Sequence, residues 1–184
     1  MNNPEKFLVP FVIHNFYKNY LKEMKRILEK GIGKRSDSDI RFLSTYLKYN
    51  DFFFNLAKMK DKSTLNQCYR HISLEFHKKS QFIFHFGQKG DKFYVLLKGE
   101  VQLLLPKDST KELTSENMID IKNLGVGSSF GELALFSNKP RTASILAIED
   151  CDLAVLKKRD FRKILCIEKF LEICENLLIR GVRR

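Results

Sequence analysis

Acidic residues are in short supply. The 184-residue sequence carries 22 Asp and Glu against 33 Lys and Arg, a net charge of +11. That imbalance favours an acidic partner, such as nucleic acid, an anionic membrane or an acidic protein surface. The plainer reading is a soluble Lys-rich surface, because the lysines are spread along the chain. Tryptophan is absent, and cysteine occurs only four times (Cys68, Cys151, Cys166, Cys174), never as C-x-x-C. A zinc site or a disulfide framework is thereby disfavoured, and a reducing cytoplasm fits. Cys166 and Cys174 fall in a helical pattern, where they act as small apolar residues. No long hydrophobic run exists. The run near the start, Phe7–Ile13, is short and interrupted by Pro10, so it is neither a signal peptide nor a membrane span. Internal repeats and low-complexity tracts are also missing.

What is present suits one domain with appendages. Apolar residues make up 43%, enough for a core, and sixteen Phe supply most of the aromatics. Residues 11–30 have helical periodicity, with Ile13, Phe16, Tyr17, Tyr20, Met24, Ile27 and Leu28 on one stripe and Gly31 and Gly33 as the stop. The stripe is a partner-binding face or, more simply, packs on the chain's own core. Ser36-Asp-Ser-Asp39 is a capping signal for a helix over 37–48. A short helical segment starts at Asp51, and another spans 63–70 with Ser63 as its cap.

At His71 the period changes from 3.6 to 2. Ile72, Leu74 and Phe76 alternate with polar neighbours, as do Phe82, Phe84 and Phe86. Strands at 93–97, 101–105, 119–123, 143–147 and 152–156 follow, separated by glycine turns and by a polar loop over 106–118. From Arg159 the pattern is helical again, to about residue 180. The fold class is therefore α+β: an antiparallel jelly roll or barrel of about eight strands, flanked by N-terminal helices and a C-terminal helix pair. The division is a helical segment over 1–50 and a domain over 51–184, with the barrel at about 71–157 and the last helices at about 159–180.

The chemistry concentrates in Phe130–Ser144. One acid, Glu132, and one guanidinium, Arg141, stand nine residues apart, with Gly131 and Ala134 keeping the backbone between them uncrowded. Phe130, Leu133, Leu135 and Phe136 anchor the segment. Such a loop holds a polar, charged ligand. The four histidines do not form a metal-binding set. No phosphate-binding P-loop, kinase signature or hydrolase elbow appears.

Residues 130–144 resemble the phosphate-binding cassette of cyclic nucleotide-binding domains, Phe-Gly-Glu-x-Ala-Leu followed by Pro-Arg-x-Ala. Phe86-Gly87, Gly90-Asp91, Tyr94, Gly99, Val101, Leu124-Gly125 and Gly127 resemble that family's glycine-punctuated strands. The resemblance runs from about Phe52 to the end and departs from the family at Gln88 and Ser80. It implies a module that binds cyclic AMP or cyclic GMP, with no catalytic residues, no metal and no further cofactor. It places Gly131, Glu132, Leu133, Ala134, Pro140, Arg141, Thr142 and Ala143 at the ligand. Arg141 offers the phosphate a fork of donors, Glu132 accepts from the ribose 2′-hydroxyl, and the backbone of 131–134 favours an anion. Thr142 permits a guanine without requiring one. Leu171, Cys174, Leu178 and Arg180 are candidates for the lid over the base and are packing residues by default.

Two functions follow. In the first, nucleotide binding moves the helices and signals to a partner protein. In the alternative, a scaffold protein with a vestigial pocket and a structural Glu132–Arg141 ion pair docks on an acidic assembly, such as a microtubule surface, at the cytoskeleton or a cilium. Relatives that read DNA carry a helix-turn-helix after the long helix. None is seen here, so sequence-specific DNA binding is not expected.

Overall fold

A capping box starts the order that positions the site. Ser36 Oγ accepts from the Asp39 amide, and the Asp39 carboxylate accepts from the Ser36 amide at 2.8 Å. These bonds satisfy two donors that the first helical turn leaves unpaired. They launch α2 (Asp37–Leu47), which buries Ile40, Leu43 and Leu47. The computed structural model describes residues 5–108 and 117–165, with side chains from residue 17 onward.

Ahead of α2 lies α1 (Glu5–Glu29), followed by a 3-10 turn over Ile32–Lys34. This first helix begins six residues earlier than its periodicity implies, and its backbone runs through Pro10. Behind α2 come α3 (Asp51–Met59) and α4 (Lys62–His71). The cap of α4 is Asp61, which accepts from the Thr64 amide at 2.8 Å, rather than Ser63. Both residues carry a capping oxygen. Asp61 has the extended backbone that a cap requires, whereas Ser63 is already inside the helix.

Eight strands then form two four-stranded antiparallel sheets. One has the order β1 (Ser73–His77), β8 (Cys151–Lys157), β3 (Lys92–Lys98), β6 (Ser129–Phe130). The other has β2 (Phe82–Phe84), β7 (Ser144–Ala147), β4 (Val101–Pro106), β5 (Met118–Leu124). The alternating pattern extended to Phe86, but the strand stops at Phe84. The Phe86 amide donates instead to Ser144 Oγ at 2.8 Å. A short α5 (Leu133–Phe136) interrupts the chain between β6 and β7, and α6 (Lys158–Leu165) follows β8. The second C-terminal helix, the four lid candidates, Cys166 and most of the 106–118 loop lie outside the described residues.

Two apolar clusters hold these layers. Between the sheets are Phe84, Tyr94, Leu96, Val101, Phe130, Ile145 and Leu153. The larger cluster joins Met24, Ile27, Leu43, Phe53, Tyr69, Phe93, Leu135, Leu156 and Phe161, so helices from both ends of the described chain share one core with β3, β8 and α5. Arg35 reinforces it. Although buried, it donates to the carbonyls of Ile27, Leu28, Lys30, Tyr69 and Arg70, gathering the C-terminal ends of α1 and α4.

Candidate functional site

Arg141 is fixed first by its backbone. Its amide donates to Gln88 O at 2.8 Å, and its carbonyl accepts from the Gly87 amide at 2.9 Å, so the turn after β2 clamps it from both sides. That turn carries Gln88 where the family pattern has Asp. The Gln88 side chain accepts from the His85 amide at 3.0 Å and closes the turn itself.

The Arg141 guanidinium then turns inward. Nη1 donates to Gly131 O at 3.2 Å and Nη2 to Lys92 O at 2.7 Å. Its Cζ lies 4.0 Å from the centre of the Phe84 ring, a cation–π contact. The residue is 6% exposed, and its Nε is buried without an acceptor. Burial pulls its pKa down, and the nearby Tyr94, Asp91 and Glu132 pull it back up. Arginine stays protonated under such shifts, so a cation sits here with two neutral carbonyls as its acceptors.

Glycine is required at two points of this cradle. Gly131 has φ +81, and a Cβ there would stand 2.6 Å from Arg141 Nη1. A Cβ on Gly90 would come within 2.4 Å of the Ala134 Cβ. Contacts this short leave no room for any side chain.

Downstream of Gly131 the chain makes one helical turn. The Ala134 amide donates to Gly131 O and the Leu135 amide to Glu132 O. Leu135 is fully buried and pins α5 to the core. Glu132 is exposed at the start of α5, and its carboxylate makes no capping bond. Among the described residues, no ion pair joins Glu132 to Arg141. The structural ion pair considered for a vestigial pocket is therefore not formed. Glu132 is exposed and Arg141 is buried, and both line one cavity.

All eight candidate residues, Gly131, Glu132, Leu133, Ala134, Pro140, Arg141, Thr142 and Ala143, line a single cavity of about 210 Å³. Its other walls include Phe84, Leu103, Lys122 and Leu124. These four were not singled out from the sequence. Alternation in the strands marks Phe84 and Leu103 as inward-facing, but nothing local marks Lys122. The cavity is thus acidic at one edge, cationic at its base and apolar along the strands. That combination accepts an anion linked to a hydroxylated ring and a flat apolar body.

The exit of α5 is wired to its neighbours. The Phe136 ring meets Phe161 of α6 at 5.4 Å, and Phe52 of α3 lies 5.8 Å from Phe161. Elsewhere, His77 lies 3.9 Å from Glu75, and His85 stacks on Phe82 at 4.2 Å. Among the described residues no cluster of His, Cys, Asp or Glu is placed to hold a metal ion, and no helix is long and apolar enough to cross a membrane.

Comparison with known proteins gives a consistent result. A family model described as "Cyclic nucleotide-binding domain" matches residues 74–166. A "cAMP-dependent protein kinase regulatory subunit" of Yarrowia lipolytica is 34% identical over 139 residues, 73% of this chain and 32% of its own. The chain therefore spans about a third of that relative's length. The regulatory domain of Toxoplasma gondii PKA, solved with cAMP, shares the fold at TM-score 0.57 and 21% identity, covering 74% of this chain and 49% of that one. So does the regulatory subunit of a cAMP-independent protein kinase A from Trypanosoma brucei, at TM-score 0.55 and 20% identity, covering 75% and 46%.

Proposed function

The chain belongs to the cyclic nucleotide-binding domain family, and from that premise we propose that it is a regulatory module that binds a cyclic nucleotide in the 131–143 cavity and passes the event to a protein partner. The observation that carries this reading is the buried Arg141 with no carboxylate partner among the described residues. A buried cation is costly unless an anion compensates it. A cyclic phosphate supplies that anion at the cavity floor. Fold alone does not assign the ligand, since the Trypanosoma brucei neighbour carries the same fold under a cAMP-independent name.

In the proposed complex Arg141 donates to the phosphate, the exposed Glu132 accepts from the ribose 2′-hydroxyl, and the base lies along Leu103, Lys122 and Leu124 beside Thr142. The module performs no chemistry of its own. Its ligand acts through the difference in affinity between two conformations. The route outward is α5, whose Phe136 touches α6 and α3. The partner we propose is a protein kinase catalytic chain, by analogy with the relative's name. No specific observation favours the scaffold alternative.

Titration calorimetry with cyclic AMP and cyclic GMP tests the reading. Saturable one-to-one binding of at least one nucleotide is expected. Absence of binding for both at about millimolar concentration, weaker than about 4 kcal/mol, would overturn it.

A further inference from the structure

We propose that the outer rim of the cassette, centred on Asn138, docks a carboxylate-rich segment of a protein partner. The inference rests on the reading above only in taking the output to be a protein. Four cations converge at this rim. Lys158 opens α6, and its Nζ donates to Ser137 O and, at 3.0 Å, to Asn138 Oδ1. Arg162, one turn further on, donates from Nη2 to the same Asn138 oxygen at 3.3 Å. Two cations thus share one neutral acceptor. The other end of that amide, Nδ2, is a hydrogen-bond donor.

Lys89 pairs across to Pro140 in a β-bridge, which sets it beside Lys139. Both lysines are exposed. Among the described residues none of the four cations makes an ion pair, and the Arg162 Nε is buried without an acceptor. Burial and the neighbouring Arg162, Lys89 and Arg141 all disfavour the charge on Lys158, and Asp91 is the one carboxylate opposing them.

The result is a surface rich in donors and short of acceptors, with uncompensated positive charge. An incoming carboxylate removes the like-charge repulsion and occupies several donors at once. A protein segment fits better than a nucleic acid strand, because the cations gather around one loop instead of lining a groove that tracks a phosphate backbone. The rim also joins α5 to α6, since Ser137 closes the α5 turn and Lys158 begins α6. A partner held here touches the segment through which the cavity communicates.

The test uses the full chain and a fluorescent hexaglutamate peptide, read by anisotropy. Binding is expected, and it weakens as salt rises from about 20 to about 200 mM. Lys89→Glu with Lys139→Glu weakens it about tenfold. Lys60→Glu with Lys62→Glu makes the same change in net charge at an exposed site elsewhere, and leaves binding within about twofold. Equal losses in the two pairs mean general charge attraction and overturn the proposal. So does the absence of salt-dependent binding. Tighter, rim-dependent capture of a single-stranded oligonucleotide reassigns the surface to nucleic acid and also overturns it. Nucleotide titration on the same samples separates the two readings: peptide docking without any nucleotide binding supports the rim and sinks the cavity.

Discussion

Arg141→Met separates what Arg141 does for the fold from what it does for the ligand. Methionine fills much of the same volume without charge. In the free protein the substitution removes two hydrogen bonds, to Gly131 O and Lys92 O. At roughly 1.5–3 kcal/mol each for a charged donor, that is a loss of about 3–6 kcal/mol. It also removes the desolvation penalty of a guanidinium that is 6% exposed, a cost of several kcal/mol. The two nearly cancel, so unfolding free energy changes by no more than about 2 kcal/mol. The ligand has no such compensation. A phosphate loses both prongs of the fork, again about 3–6 kcal/mol, or roughly a hundredfold to ten-thousandfold in affinity. Thermal melting and calorimetry on the same variant read the two quantities. A folded Met variant that binds nucleotide within about threefold of the original refutes the role given to Arg141 and removes the basis for the cavity reading.

Three further outcomes follow from the geometry. Gly131→Ala forces a left-handed φ on a residue with a Cβ and drives that carbon into Arg141. A stability loss of about 2 kcal/mol by urea titration and a fall in nucleotide affinity are expected, and unchanged affinity would count against the cradle. Ser80 holds φ 68, the one left-handed non-glycine among the described residues. Ser80→Gly therefore raises the urea midpoint by the equivalent of about 0.5–1 kcal/mol, strain relief outweighing the added chain entropy, and a lowered midpoint would contradict this. Asp39, hydrogen-bonded by Lys30 and by the Ser36 amide and hydroxyl, has its pKa pulled down from 3.8 to about 2. Its contribution is complete above about pH 4 and is lost as pH falls through about 2. Asp39→Asn flattens that part of the stability profile, and an unaltered slope would refute the assignment.

The parts of the fold readable in the sequence were those written over short distances. The Ser36–Asp39 box and the unbroken apolar run of Phe93 through Leu97 depend on neighbours a few residues apart. The Asp61 cap is not legible locally because Asp61 and Ser63, two positions apart, each carry a capping oxygen, and only backbone geometry chooses between them. Long-range ties left no local trace. Tyr17 donates to Leu97 O across 80 residues, and Lys25 bridges Asp152 across 127. The five carbonyls collected by Arg35 belong to two segments about forty residues apart, the ends of α1 and α4. At the cavity the division is the same. The eight candidate residues fall within a thirteen-residue window (131–143), so a motif could carry them. Phe84 against the guanidinium and Lys122 in the cavity lining come from other strands, and only the pairing of β2 with β7 and of β4 with β5 brings them in.

The place of β8 has a consequence for the order in which the protein is made. This strand lies between β1 and β3, pairing with both, although it is the last of the eight to leave the ribosome. Until residues 151–157 emerge, β1 and β3 each present an unpaired edge, and the nascent chain cannot close the sheet. Lys25 waits equally long for Asp152. Translation that stalls before residue 151 thus leaves an aggregation-prone intermediate, and chaperone dependence should peak in that interval and end once β8 is inserted.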